Sequence, residues 1–233
     1  MLTQTTIQAA SARPATRPAT ARTPAVPSMV SHPLGGPIEL MGAAMSFARN
    51  VEIYGEDEPA DYLYKVISGT VRTYKVLSDG RRQIGAFYLP GDIFGLEMGD
   101  EHTFSAEAIC DSKVLVIKRS AVVGLAARDN EVARQLWTLT GRELRRVQDH
   151  IVLLIKTAQE RVVGFLLEMA ARMPAGNVVE LPMSRQDIAD YLGLTIETVS
   201  RTLTNLENAA TIELPSSRRI VLRNRTALGR LNG

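Results

Sequence analysis

The sequence predicts an α+β chain built in three parts: an N-terminal antiparallel β-sandwich, a long helix, and a C-terminal winged helix-turn-helix. Three observations carry this. From Met45 to Lys118 short apolar alternations break at glycine with roughly ten-residue spacing. From Asp129 to Lys156 a helical pattern free of proline keeps a single apolar seam. From Ser184 to Glu207 two short amphipathic patterns meet at Gly193.

Composition narrows the function classes. The 233 residues fit one large domain or two small ones, and a hydrophobic content of 45% supports a packed core. No apolar run approaches the ~20 residues that cross a bilayer, so no membrane partner is expected. The one cysteine, Cys110, rules out an internal disulfide framework and a clustered-thiolate metal site. His32, His102 and His150 are too scattered to suggest a metal site, and no cofactor is expected. No paired carboxylates or nucleophile–base set supports an enzyme. A reducing cytoplasm fits best.

The net charge of +2 hides an uneven distribution. Residues 39–127 hold nine basic and thirteen acidic residues, whereas the stretch from Pro215 holds Arg218, Arg219, Arg223, Arg225 and Arg230 with no acid. An acidic front and a basic tail suit a chain whose C-terminal end meets phosphate; a solvated basic terminus is the plainer alternative.

Residues 1–37 contain six of the eleven prolines and many Ala and Thr, too little apolar surface to order themselves. A flexible arm is expected over residues 1–44. The acid-free, Arg-containing composition of residues 1–37 also resembles a transit peptide, but the proline spacing opposes an amphipathic helix. The β-domain is expected over 45–128. Strands are read at 63–67, 71–76, 83–88 and 113–117, punctuated by Ser68-Gly69, Asp79-Gly80 and Pro90-Gly91. These glycines are read as turn residues, since no phosphate-cradling glycine fingerprint is present. Cys110 is expected in an apolar strand as a small core residue.

The long helix is expected over 129–157. Ala133, Trp137, Thr140, Leu144, Val147, Ile151 and Leu154 recur at alternating steps of four and three, a heptad seam. One reading packs this helix on its own β-domain. The other, favoured by a length of ~40 Å at 1.5 Å per residue, pairs it with a second copy of the chain. Trp137, Thr140, Leu144, Val147, Ile151 and Leu154 would then form the dimer interface.

The C-terminal domain is expected over 158–233, opening with a helix from Ala158 to Arg172 that Pro174-Ala-Gly-Asn ends. In the helix-turn-helix, Ser184 is a natural N-cap with Asp187 three positions on. Gly193 supplies the turn. Thr195 caps a second helix whose buried stripe is read as Ile196, Val199, Leu203 and Leu206. Its polar face carries Glu197, Ser200, Arg201, Thr204 and Asn205. In a major groove such an Arg can bond guanine O6 and N7, and such a Glu can accept from cytosine N4. An ordinary helical hairpin is the plainer reading. Thr211-Ile-Glu-Leu and Arg219-Ile-Val-Leu then form the hairpin of a wing.

The order of parts, with Ser68-Gly-Thr-Val-Arg-Thr-Tyr-Lys, Asp79-Gly-Arg-Arg-Gln-Ile, Pro90-Gly-Asp-Ile-Phe-Gly and Gly193-Leu-Thr-Ile-Glu-Thr-Val-Ser-Arg, resembles the bacterial catabolite activator protein/FNR superfamily over residues 45–228. The Gly-Arg-Arg-Gln-Ile stretch, the N-terminal arm and the single cysteine lean toward its FixK branch. The resemblance implies a cyclic-nucleotide-binding-like jelly roll for the β-domain. It also implies a homodimeric activator on double-stranded DNA, binding a palindrome of TTGA-like half-sites and recruiting RNA polymerase for low-oxygen respiration or nitrogen fixation.

By that resemblance Glu197, Ser200 and Arg201 read bases, with Ile196 at a thymine methyl or buried against the first helix. Ser184, Arg185, Thr195, Thr198, Arg218 and Arg219 contact the DNA backbone. Residues 1–44 lack the cysteine cluster of an iron–sulfur sensor. Between Phe94 and Glu107 the acids Glu97, Asp100, Glu101 and Glu107 would repel a phosphate, with no Arg nearby to hold one. An activator that needs no small-molecule effector is therefore expected. The alternatives are a regulator gated by an unrecognised ligand in the β-domain, and an enzyme or regulatory subunit using the same domain.

Overall fold

The computed structural model describes residues 37–97, 99–173 and 176–232. The chain opens with α1 (Pro37–Leu40) and eight strands: β1 (Ala43–Phe47), β2 (Glu52–Tyr54), β3 (Tyr62–Ser68), β4 (Val71–Val76), β5 (Arg82–Tyr88), β6 (Ile93–Phe94), β7 (Ser105–Ala108) and β8 (Ser112–Lys118). They form two antiparallel four-stranded sheets, ordered β1-β8-β3-β6 and β2-β7-β4-β5. Tyr64, Val66, Phe94 and Val114 from one sheet meet Tyr54, Val71, Ala86, Tyr88 and Ala106 from the other, which makes the pair a sandwich.

The β3–β4 turn is fixed by Gly69 at φ +83°, where a Cβ would lie 2.3 Å from Ser112 Oγ. That hydroxyl instead takes the Thr70 amide at 3.0 Å and donates to the Cys110 carbonyl at 2.7 Å. Cys110 sits half-buried in the bend between β7 and β8, not in a strand as expected, because the chain turns immediately after Ala108.

Order also begins earlier than the expected arm boundary of residue 44. Ile38 is buried among Leu63, Ile93, Ile117, Val122 and Val132, and Glu39 pairs with Lys65. Residues 1–36 of the expected arm lie outside the described residues.

Next come α2 (Arg119–Ala126) and the long α3 (Asn130–Leu154), which the Asp129 carboxylate caps through the amides of Glu131 and Val132. One face of α3 packs on the chain itself: Val132, Leu136 and Leu139 join the sheet-backed cluster, and Leu153 joins the C-terminal core. The predicted seam lies on the opposite face. Ala133, Trp137, Thr140, Leu144, Val147 and Ile151 are all exposed, Trp137 by 81%, and only Leu154 is half-buried. The reading that packs this helix on its own domain holds for one face, and the heptad stripe on the other face is left bare in the single chain. Val152 and Ile155, exposed by 53% and 81%, extend that stripe beyond the residues the heptad count picked out.

The remaining elements are α4 (Ala158–Arg172), β9 (Val178–Glu180), α5 (Arg185–Leu192), α6 (Ile196–Asn208), β10 (Ile212–Ser216), β11 (Arg219–Leu222) and α7 (Arg225–Leu231). A capping box between Thr157 and Glu160 starts α4. The stop expected at Pro174 and Ala175 falls outside the described residues, and α4 ends at Arg172. The strands form one antiparallel sheet, β10-β11-β9, in which the β10–β11 hairpin is the wing. Val163, Phe165, Leu166 and Met169 of α4 are fully buried in the core of this domain. Among the described residues no helix is long and apolar enough to cross a membrane.

Candidate nucleic-acid interface

The reading head begins with the Ser184–Asp187 capping box. The Ser184 amide and hydroxyl donate to Asp187 Oδ2 at 2.9 and 2.8 Å, and the Asp187 amide donates back to Ser184 Oγ at 3.1 Å. Both of Ser184's donors are thereby committed. A phosphate at this helix end would meet the half-buried Arg185 and the exposed Gln186 instead, a constraint on the contact assigned to Ser184.

Gly193, at φ +61° and ψ 40°, closes α5 in the left-handed conformation and turns the chain into α6. Thr195 caps α6 by accepting the Thr198 amide at 3.2 Å. The helices pack through Ile188, Ala189 and Leu192 on one side and Val199, Leu203 and Leu206 on the other, all buried. Ile196 departs from the predicted stripe: it is 36% exposed on the first turn of α6, and the buried position falls to Thr202 instead. Helical phase explains this, since a residue at the capped end has no turn of α5 above it.

The outer face of α6 presents Glu197, Arg201, Thr204 and Asn205 in the open, with Ser200 and Thr198 half-buried at its margin. The Glu197 carboxyl lies below its ordinary range because its own amide and the Thr195 hydroxyl bond it, with Arg201 adding at longer range. It is therefore an acceptor at neutral pH, and Arg201 is an exposed donor one turn along. In the wing, Arg218 and Arg219 are exposed at the tip, their amides held by Ser216 Oγ at 3.4 and 3.1 Å. A helix of 13 residues spans about 20 Å, enough to lie in a major groove.

The head is gripped from behind by residues far away in sequence. Arg72 on β4 donates to Asp187 at 2.6 Å and, through its other terminal nitrogen, to both Glu107 oxygens at 3.0 Å. Arg82 on β5 reaches Asp187 at 2.7 Å and Asp190 at 2.8 Å. The Gln83 side-chain Nε2 donates to the Tyr191 carbonyl at 3.3 Å. Burial pushes the Asp187 carboxyl up, but the Ser184 donors and the two guanidiniums outweigh it and hold the group below its ordinary value. Beside this cluster a polar cleft of about 210 Å³ is bordered by Arg49, Asn50, Ser184, Gln186 and Arg218. Beneath it Phe87 packs on Phe165 and Tyr191 at ring-centroid distances of 6.2 and 5.2 Å.

The stretch between Phe94 and Glu107 corrects the expectation that it lacks arginine neighbours. Arg119 donates to the carbonyls of Gly95 and Gly99, and Arg72 neutralises Glu107. Both come from outside the stretch, and both are spent on protein acceptors.

Residues 44–129 match the family model of the cyclic nucleotide-binding domain and residues 160–231 that of the Crp-like helix-turn-helix domain. The nitrogen fixation regulation protein FixK of Azorhizobium caulinodans is 54% identical over 84% of this chain and 81% of its own length. The chain belongs to the FixK branch of the Crp/FNR family. The FixK of Rhizobium meliloti is 40% identical over 79% of this chain and 86% of its own. The structure of FixK2 from Bradyrhizobium japonicum superposes with a TM-score of 0.80 at 54% identity, covering 82% of this chain and 98% of that one. Crp/FNR proteins of this kind are transcription regulators with a DNA-binding helix-turn-helix, not enzymes. Sequence reasoning missed the grip on α5, because Arg72 and Asp187 stand 115 positions apart and no local pattern marks their pairing.

Proposed function

We propose that the chain is a homodimeric, sequence-specific transcription activator of the FixK type, working in the cytoplasm. Two copies pair through the bare stripe of α3 and present two α6 helices to a palindrome of TTGA-like half-sites about one helical turn apart. That stripe carries the reading: six seam residues from Ala133 to Ile151 are exposed in the single chain, beside a helix that packs well on its other face. An isologous contact would bury each stripe against its twin.

In the groove, Arg201 holds a guanine, Glu197 accepts from the amino group of the complementary C or an adjacent A, and Ser200 and Ile196 meet the outer thymine. Ile196's exposure supports its methyl contact over burial against α5. Arg185, Thr195, Thr198, Arg218 and Arg219 face the backbone, with Ser184 holding the helix end in place. The bound dimer recruits RNA polymerase to genes of low-oxygen respiration or nitrogen fixation, the process that names its FixK relatives.

The activator works without a small-molecule effector. Its sandwich interior is filled by its own rings: Tyr54 stacks on His102 at 3.5 Å, Tyr64 on Phe94 at 5.0 Å, and Tyr88 lies 4.9 Å from Phe94. The helix side is closed as well, since Tyr88 donates to Glu143 at 3.2 Å and Arg146 sits 4.3 Å over the same ring. Selection from random duplex DNA with dialysed protein should return the palindrome, and sedimentation should give a dimer.

One observation favours the alternative of a gating ligand. His102 Nε2 is buried without a hydrogen-bond partner, and His102 Nδ1 and Glu97 Oε2 meet only each other at 3.5 Å, polar groups that an unidentified ligand could satisfy. Native mass spectrometry separates the two readings: a bound small molecule would replace the effector-free one.

A further inference from the structure

The FixK-type reading leaves open what sets the angle of each reading head. The two parts of the chain are joined covalently only by Ile155, Lys156 and Thr157, between the end of α3 and the start of α4. A connector of that length can pivot. Apolar contact of Phe87 with Phe165 and Tyr191, in the same buried cluster as Ile84, holds the parts together, but such contact is non-directional. Direction comes from the polar grip, because hydrogen bonds to charged groups are sensitive to angle as well as distance.

Three donors on the β4–β5 ribbon converge on one and a half turns of α5: Arg72 on Asp187, Arg82 on Asp187 and Asp190, and Gln83 on the Tyr191 carbonyl. On the far side Arg161 donates to the Leu192 carbonyl at 2.9 Å. Since α5 is locked to α6 through buried side chains, whatever orients α5 orients the reading helix.

We propose that Arg82 and Arg72 are positioning residues for DNA recognition. By gripping Asp187 and Asp190 they set the angle of each reading helix relative to α3, and so the half-site spacing the dimer accepts. The proposal rests on the palindrome-binding reading above. It asks nothing of the dimer seam beyond a fixed two-fold axis.

The Arg82–Asp190 pair is the place to test it. Arg82 keeps 26% of its side chain exposed, against 10% for Arg72 and 6% for Asp187, so changing it strands no fully buried charge. The measurement is full-length protein binding to two duplexes, one with the TTGA-like palindrome and one with a base pair inserted at its centre. The insertion rotates one half-site by about 34° relative to the other. Wild type should favour the first duplex strongly.

Arg82→Glu and Asp190→Arg should each shrink that preference by about tenfold, and the double exchange should recover part of the loss, since positions 82 and 190 regain opposite charges while the new carboxylate at position 82 still faces Asp187. Arg82→Ala, which adds no repulsion, serves if either charge reversal does not fold, and should shrink the preference in the same direction. Variants that lose affinity for both duplexes in parallel would overturn the proposal, since a merely destabilised head lowers both alike. So would a double exchange no more selective than the less selective of the two single variants. A wild-type protein indifferent to the palindrome would overturn the functional reading and this proposal together, a result distinct from either of the others.

Discussion

The imidazole of His150 on α3 lies against the Tyr191 ring of α5, centroids 4.0 Å apart, and its Nε2 hydrogen-bonds the Tyr191 carbonyl at 2.9 Å. The long helix α3 and the helix-turn-helix therefore touch through an ionisable imidazole. Burial lowers the His150 pKa from 6.5, with Arg146 adding to it, against the Tyr191 and Gly85 carbonyls and Glu168, which pull it up. A base with a depressed folded pKa binds its proton better unfolded. Its contribution to stability is complete above pH 6.5 and is lost as pH falls through the folded value. Denaturant titrations at about pH 7.5 and about pH 5.5 should show wild type losing more stability on acidification than His150→Gln, which keeps a donor but cannot titrate.

Arg201 and Arg219 should fail in different ways. Removing the Arg201 guanidinium from the groove face should cost about 1–3 kcal/mol on the preferred palindrome and relax the preference at one symmetric base pair. Arg219→Ala at the wing should weaken all sequences alike and flatten the salt dependence. Binding titrations over base-substituted duplexes and several salt concentrations distinguish the two. An Arg201→Ala protein with unaltered sequence preference would show that the reading face is assigned wrongly.

Val147 and Ile151 occupy mid-seam positions on α3 and are exposed in the single chain. The paired change Val147→Asp, Ile151→Asp should leave the fold intact, because neither residue contributes to its own core. It should give monomers by sedimentation and abolish tight binding to the palindrome, since one half-site supplies too few contacts. A persistent dimer would move the interface to the β-domain.

Gly69 should be intolerant for reasons of backbone and space together. Its φ of +83° disfavours any side chain, and an added methyl would strike Ser112 Oγ and the Asp111 carbonyl. Gly69→Ala should lower unfolding stability by about 2–4 kcal/mol in denaturant titration. Gly80 has the same φ but nothing within 4 Å, so the corresponding change there should cost visibly less.

How much of this was legible follows from where each signal lives. The cores of β3, β4, β5 and β8 announced themselves by alternation between glycine turns. β7 did not, because Ser105-Ala-Glu-Ala has neither branched nor aromatic side chains and owes its strand to the ladder with β4. β9, three residues long, forms only because β11 is there to pair with it. The capping box was readable because it spans four residues, and the exposed polar face of α6 because it follows helical phase. Ile196 was misread where that phase runs out. The grip on α5 was invisible: polar residues from β4, β5 and α5 meet only once the whole chain has folded, and no local pattern marks an arginine that will be needed a hundred positions later.

Helix α3 commits one face to its own chain and leaves the other apolar, and this has a consequence for dose. If two copies pair as proposed, the solitary chain is the sticky species, with Trp137 and Ile155 in water. Wherever protein is scarce relative to that association, the competent form grows as the square of the number of chains. A modest rise in synthesis would thus be converted into a steep rise in promoter occupancy without cooperativity between neighbouring sites on DNA. A regulator built this way carries its own threshold, written in the geometry of one helix.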